Sequence, residues 1–285
     1  MKKLDSTPKV SIGFAVFNGE KTIERAIKSI LSQTFKDFEL IISDNASSDD
    51  TEKICKIFKS NDERVRYIRQ NYNIGAAANY KYVLNQARGE YFMWAAADDW
   101  HSNDFLEVNV KVLDLNSDYS ASTSPNCFEG EEKNSENHVK FNLDFSLQER
   151  YIHFLKNAWK SHGIFYSLMR KKYIDFCSEV GGSYAANDWS INFFLLSKGR
   201  ISRAKKGLIV FGKSGRSFDS NPWSNFRSKK IEAIIPIYEF SKYALSLMSV
   251  LNIHSWLKVF FELVKLNIDA VKSNIRLSIK LILRK

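Results

Sequence analysis

Phe38-Glu-Leu-Ile-Ile-Ser-Asp44-Asn45, followed by the polar loop Ala46-Ser-Ser-Asp-Asp50 and a helical stretch through Phe58, decides the fold of this chain. Residues 38–43 are a short apolar run of strand length, and the run ends at a cluster of turn-forming residues. The same strand-then-helix unit stands on both sides. Before it, residues 10–17 form another apolar run, and 21–31 carry Ile23, Ala26, Ile27 and Ile30 at helical spacing. After it, the pattern predicts a strand at 65–68, a helix at 76–87 and a strand at 90–97. Strands alternating with helices of this length imply parallel pairing with crossover helices on both faces, hence an α/β sheet. Ligands of such sheets bind beyond the carboxyl ends of the strands. Asn18, Asp44, Asn45, Asp98 and Asp99 all fall at those ends.

Beyond Trp100 the pattern loosens. It predicts a helix at 104–115, a strand at 119–128, a polar loop at 129–142 and a helix at 147–159. A strand at 163–169, a helix at 188–197 and a strand at 200–211 follow, and from 229 on the chain reads as helical. A length of 285 residues accommodates one full α/β core and an appendage, here divided as 1–225 and 226–285. Cys55, Cys127 and Cys177 are odd in number and far apart, which argues for reduced thiols and against a disulfide framework or a zinc site. No apolar segment backs the N-terminal lysines, so no signal peptide is expected. No run approaches the ~18 apolar residues of a membrane span.

The chemistry-bearing residues cluster in three places. Asp98-Asp99 sets two adjacent carboxylates at the end of an apolar strand, where they repel each other unless a cation intervenes. Mg²⁺ or Mn²⁺ is typically held by one or two carboxylates plus substrate phosphates. A solvated turn or a helix cap is the plainer reading of the dipeptide alone. Asp44, at the end of its strand, is placed to accept hydrogen bonds from a ribose or a base, whereas Ser48 or Asp49 would cap the next helix. Gly75, inside Asn71-Tyr-Asn73-Ile-Gly75-Ala-Ala-Ala-Asn79, lets a helix N-terminus approach a phosphate, or simply allows close packing.

Taken in order, these segments are more specific than any one of them. Val10-Ser-Ile-Gly-Phe-Ala-Val-Phe17-Asn18-Gly19 is followed by Ile30-Leu-Ser-Gln33-Thr-Phe35, the 38–45 segment, Asn73-x-Gly75-x-x-x-Asn79, Ala87-x-Gly89-x-Tyr91 and Asp98-Asp99. The series resembles glycosyltransferase family 2, inverting enzymes of the GT-A fold, over roughly residues 8 to 217. The resemblance implies a nucleotide pocket that includes Phe17, Asn18, Asp44, Asn45, Asn73, Gly75 and Asp98. It also implies a divalent metal, Mn²⁺ or Mg²⁺, on Asp99 with Asp98. Many relatives carry a further acid where this chain has Ala96. On the acceptor side, Gly181-Gly-Ser-Tyr-Ala-Ala-Asn187-Asp188-Trp189 is similar to the family's Glu-Asp motif, with Asn187 in place of the glutamate and Asp188 as the expected general base. His162 and Trp189 are expected to line the acceptor site, and Lys213 or Arg216 to pair with the pyrophosphate. Solvated surface charge is the plain alternative for those two.

The net charge of +10 is uneven, since residues 226–285 carry +7 of it. In the last segment Lys258, Glu262, Lys265, Asp269, Lys272, Arg276 and Lys280 follow steps of 3 or 4 and share one helical stripe. Trp256, Phe260, Leu263, Val264, Val271, Ile275 and Ile282 fill the remainder. That pattern suits the headgroup region of an anionic leaflet, with Trp and Phe as anchors, and otherwise a helix packed on the core or on a second copy. The aromatics lie opposite the charges, so nucleic acid is not an expected partner. The resulting expectation is a transferase at the inner, cytoplasmic face of the cell membrane. It would move a sugar from a nucleoside diphosphate sugar, UDP being the family's commonest base, to a glycan or polyprenyl-linked acceptor. A non-catalytic protein on the same fold is the rival, and Ala96 and Asn187 lean towards it. A nucleotidyltransferase lacks its Gly-rich, basic loop here.

Overall fold

Strands buried on both faces must be apolar on both faces, which is why the first strands read as runs and not as alternations. In the computed structural model, which describes residues 7–213, 223, 226, 227 and 229–282, β1 (Val10–Val16) and β2 (Phe38–Asp44) are almost wholly buried. Leu40 and Ile42 point into one hydrophobic core and Ile41 into another, so the sheet separates two packed layers. β3 (Val65–Arg69) and β4 (Tyr91–Ala95) join them in the parallel order β3-β2-β1-β4. The crossovers are α1 (Ile23–Leu31), α2 (Thr51–Asn61) and α3 (Ala76–Gln86). In register, Val16 pairs with Asp44 and Asp44 with Arg69, so the carboxyl ends of these strands are level.

The sheet continues past β4 with a reversal of direction. β6 (Tyr119–Thr123) and β8 (Leu168–Arg170) complete an antiparallel section, and β9 (Arg200–Arg203) adds a parallel edge, giving seven strands in the order β3-β2-β1-β4-β8-β6-β9. β5 (Trp100–His101), β7 (Asn126–Phe128) and β10 (Ile209–Phe211) form a small second sheet, with β10 in the middle. α4 (Phe105–Leu115), α5 (Leu147–Asn157) and α8 (Asn187–Lys198) cover the faces, and the single turns α6 (His162–Phe165) and α7 (Lys171–Ile174) lie between α5 and α8 in the chain.

Three expectations differ in the second half. Residues 119–128 form two strands in two sheets, divided at Pro125, which has no N–H to give to a ladder. Residues 200–211 divide likewise, at Gly207, whose φ of +78° ends the strand direction. The strand expected at 163–169 is confined to Leu168–Arg170, because His162–Phe165 make a helical turn instead. That turn is held by Thr123, whose hydroxyl donates to the Gly163 carbonyl at 2.7 Å.

The helix Tyr238–Leu247 and the C-terminal helix Ile253–Ile282 follow. Val259, Leu263, Leu266 and Ala270 of the C-terminal helix are buried in the same core as Tyr151, Phe154, Phe193 and Phe240. Trp256 and Phe260 stack on each other at 4.9 Å and pack against that core, so they are not free to act as anchors. The opposite face stays open: Leu257, Phe261, Val264, Ile268, Ile275 and Ile279 are each between 38% and 60% exposed. Among the described residues no helix is long and apolar enough to cross a membrane.

Candidate functional site

The loops after β1 and β2 are stitched together at the level carboxyl ends. Asn18 follows β1 in a left-handed conformation with φ +52°, and its side-chain oxygen accepts from the Ser48 N–H at 2.9 Å. Its own N–H donates to the Ser47 hydroxyl at 2.9 Å. Ala46 (φ +59°) is left-handed too, as is Ala186 (φ +63°), just before α8. These are the non-glycine residues with positive φ among the described residues, and all three flank the predicted site, where such strain commonly concentrates. Phe17 is 40% exposed, leaving a ring face available beside the loop.

Asp44 itself is fully buried. One carboxylate oxygen accepts from the Ser47 N–H at 2.8 Å; the other accepts from the Tyr67 hydroxyl and the Arg69 guanidinium, both at 2.7 Å. Asp44 therefore meets its surroundings through the partly exposed Tyr67 and Arg69, two residues not among the sequence candidates. The sequence carries only half of the signal: Tyr67 and Arg69 are two apart on β3 and so share a face, but that β3 lies beside the strand ending in Asp44 is seen only in the sheet order. Asn45 and Asn73 bind each other (2.8 Å), and the Asn45 oxygen accepts from the Ile74 N–H. This pair positions Gly75, whose φ of +86° opens α3 and around which a Cβ would meet nothing within 4 Å.

Asp98 and Asp99 lie in the turn between β4 and β5, and the second sheet clamps them. The Gly212 N–H, just past β10, donates to Asp99 Oδ1 at 3.0 Å. Arg25 of α1 donates to the Asp98 carbonyl at 3.2 Å and pairs with Glu129. Burial, reinforced by the neighbouring Asp98 charge, pushes the Asp99 carboxyl up to about 8. Among the described residues no cluster of three or more His, Cys, Asp or Glu could hold a metal ion. A two-carboxylate site nevertheless fits Mg²⁺ or Mn²⁺ when substrate phosphates supply the remaining oxygens, and a buried carboxylate lifted by its neighbour is one that a cation would stabilise. Tyr80 and Tyr166 face this turn, their hydroxyls 3.4 Å apart, and Tyr166 packs on Phe211. Burial first, and then the charges of Asp99 and Asp98, push the Tyr80 hydroxyl up to about 12.

Asp188 sits in the first turn of α8, half-buried, and its N-cap position is taken by Ala186. Burial raises its carboxyl above the ordinary range, and the facing His162 opposes that shift. His162 is exposed and its ring borders Phe128 and Phe211, so β7 and β10 connect it to the Asp98–Asp99 turn. Asn187 is occupied locally, its amide donating to the Glu179 carbonyl at 2.9 Å. Trp189 is buried edge-on against Trp159, with ring centres 5.2 Å apart. Lys213 follows Gly212 and is exposed beside the same turn, while Arg216 lies outside the described residues.

The chain is similar to known proteins in sequence and in fold. A glucosyltransferase of Campylobacter jejuni, described as GalNAc(5)-diNAcBac-PP-undecaprenol beta-1,3-glucosyltransferase, is 42% identical over 93 residues, which cover 32% of this chain and 30% of that protein. The matched stretch is thus under a third of that relative's length. Solved structures with the same fold include the crystal structure of S. aureus TarS 1-349 in complex with UDP-GlcNAc, with a TM-score of 0.69 and 17% identity, covering 93% of this chain and 74% of that one. Another is the mannosyltransferase PcManGT from Pyrobaculum calidifontis in complex with GDP-Man and Mn²⁺, with a TM-score of 0.60 and 14% identity, covering 95% of this chain and 74% of that one. At those identities the likeness speaks for the GT-A fold alone. The sequence-level family is decided by the model of glycosyl transferase family 2, which matches residues 11–177, from β1 through the turn that carries His162. That match spans more than half of the chain, and the chain belongs to glycosyl transferase family 2.

Proposed function

We propose that this protein transfers a sugar, with inversion, from a nucleoside diphosphate sugar, UDP-linked by preference, to a hydroxyl of a lipid-linked glycan. One observation carries the reading: Asp44 with Arg69 and the clamped Asp98–Asp99 turn lie beyond the carboxyl ends of neighbouring parallel strands, and His162, which faces Asp188, borders Phe211 of the strand that leads into the Gly212 clamp. Phe17 and the Asp44–Tyr67–Arg69 group hold the base and ribose end. Lys213, beside the Asp98–Asp99 turn, faces the diphosphate. A divalent cation, Mn²⁺ or Mg²⁺, held by Asp99 and Asp98, would neutralise charge on the diphosphate.

Across the cleft Asp188 accepts the proton of the acceptor hydroxyl. The hydroxyl oxygen forms its bond to the anomeric carbon as the bond from that carbon to the diphosphate oxygen breaks, and that bond's electron pair leaves with the diphosphate. A carboxylate lifted by burial is a stronger proton acceptor than an exposed one, which suits this role. His162 is placed to orient the hydroxyl.

A lipid-linked acceptor is supported by the C-terminal helix and by the undecaprenol named for the Campylobacter relative. The open apolar stripe from Leu257 to Ile279 runs alongside Lys258, Lys265, Lys272 and Arg276, a combination suited to an anionic leaflet. In this reading residues 1–225 perform the transfer and 226–285 hold the enzyme peripherally on the cytoplasmic face of the membrane. The test is a thermal-shift panel of nucleoside diphosphates and their sugars, with and without Mn²⁺, on wild type and Asp99→Ala. A shift that needs nucleotide and metal together and is lost in the variant is expected. No response to any nucleotide would leave a non-catalytic protein on this fold.

A further inference from the structure

Trp159 stands in the middle of an edge-to-face ladder of three tryptophans. Its ring centre lies 5.2 Å from Trp189 and 5.6 Å from Trp223, and the Trp223 indole N–H donates to the Ser273 hydroxyl of the C-terminal helix at 3.3 Å. Both flanking rings are buried, whereas Trp159 is 41% exposed. It forms one wall of an open groove of about 490 Å³, and the other wall is Asp269, Lys272, Ser273, Arg276 and Leu277. Trp159 ties this groove to the proposed reacting residues by chain and by contact. Trp159 precedes His162 by one turn of chain, and Trp189, which Trp159 touches, directly follows Asp188.

An exposed indole beside an acid and two basic side chains is a combination suited to a sugar next to phosphate. The indole face stacks on the apolar face of a pyranose, a carboxylate accepts from sugar hydroxyls, and Lys and Arg pair with phosphate oxygens. Asp269 and Lys272 already sit 3.5 Å apart, both about 60% exposed, so neither is locked away. We propose that this groove binds the sugar–diphosphate part of the acceptor, with Trp159 against the sugar ring and Lys272 and Arg276 against the phosphates. The assignment rests on the transferase reading above and adds to it the place where the acceptor lies. A nucleotide sugar offers the same sugar–diphosphate chemistry, but the residues proposed for its base and ribose, Phe17 and the Asp44–Tyr67–Arg69 group, line no part of this groove. The groove instead lies under the helix whose outer face is open and apolar, where a lipid tail would continue.

The test is a titration of the full chain, followed by tryptophan fluorescence, with N-acetylglucosaminyl diphosphate carrying a short alkyl chain. A parallel arm uses UDP with Mn²⁺, followed by thermal shift. The expected result is saturable quenching by the alkyl diphosphate sugar that UDP does not compete away. Trp159→Leu should remove most of the quenching, and the double variant Lys272→Glu/Arg276→Glu should weaken binding at least tenfold. Both variants should keep the wild-type response to UDP, which shows that they are folded. Wild-type affinity for the alkyl diphosphate sugar in both variants, or competition by UDP for the same signal, would overturn the groove assignment and leave the transferase reading standing. Absence of any UDP response in wild type would remove the transferase reading and this assignment with it.

Discussion

Gly212→Ala is the substitution that most directly probes the clamp on the Asp98–Asp99 turn. A Cβ at position 212 would lie 2.5 Å from the Asp98 carbonyl oxygen and 2.8 Å from the Asp98 Cβ. These are backbone-proximal atoms of a tight turn, not the tip of a flexible side chain, so the two strands must separate by several tenths of an ångström. Overpacking of this kind costs about 1–3 kcal/mol. The same displacement stretches the 3.0 Å hydrogen bond from the Gly212 N–H to Asp99, so the cost falls on the carboxylate that the proposed mechanism needs. If about 2 kcal/mol is lost from metal-assisted nucleotide binding, affinity falls about 30-fold. Gly89→Ala is the matched control. Its Cβ would meet the Ser11 nitrogen at 2.7 Å, an equally severe clash at the amino end of β1, far from the cleft. Calorimetric titration of UDP with Mn²⁺, alongside urea unfolding of both variants, separates the two effects. Comparable destabilisation of both is expected, with weakened nucleotide binding only in Gly212→Ala. Wild-type UDP affinity in a folded Gly212→Ala protein would refute the placing of the nucleotide site at this turn.

Further outcomes follow from the same geometry. Asp188→Asn should lower kcat by about 10²–10⁴-fold with little change in the donor KM. Because burial raises the Asp188 carboxyl and it must be ionised to accept a proton, wild-type kcat should rise with pH through a limb above the usual carboxylate range; a flat profile would exclude Asp188 as the base. Tyr67→Phe removes a 2.7 Å hydrogen bond to the buried Asp44 carboxylate and should cost about 1.5–3 kcal/mol of stability, read from the urea midpoint. Burial alone would raise Glu39, but hydrogen bonds from Ser11, Arg88 and Arg66 outweigh it and hold the carboxyl low. Its contribution is therefore complete above the ordinary carboxylate pKa and lost as pH falls through the depressed value, so the stability gap between wild type and Glu39→Gln should close on acidification. Phe261→Glu with Ile268→Glu should abolish co-sedimentation with anionic vesicles while leaving the melting temperature within a few degrees, since both side chains are about half exposed or more.

The part of the fold legible in the sequence is the part whose strands are long and whose connections are helical. β1 and β2 are seven residues each and apolar on both faces, so their signal survives without any knowledge of neighbours. β5 has two residues and β7, β8 and β10 three each, too short for periodicity to register. Those short strands decide the geometry of the cleft, because β10 carries the chain to Gly212 and the turn before β8 carries His162. Polar residues at the strand ends were visible because loops beyond a parallel sheet leave few other reasons for acids there. Tyr67 and Arg69 were not, because their role depends on the register between β2 and β3, which only three dimensions supply.

The C-terminal helix shows a different limit. Its charges mark one stripe, but the sequence gives equal weight to every apolar side chain around the rest of the circumference. Ser255, Val259, Leu263, Leu266, Ala270 and Asn274 are the buried set, and two of the six are polar while one is alanine. Leu257, Phe261, Val264, Ile268, Ile275 and Ile279 are wholly apolar, yet they face outward. A helix that leaves this many large apolar side chains open is not arranged for solvent. Packing against α5 accounts for the inner face, and a second apolar surface would account for the outer one. Basic residues rank alongside that outer face, and Lys272 and Arg276 also line the groove walled by Trp159. One element therefore faces the core, the proposed membrane and the proposed acceptor at once. A substitution such as Ile268→Glu, remote from the cleft, should consequently depress transfer to a membrane-embedded acceptor far more than transfer to a soluble short-chain one.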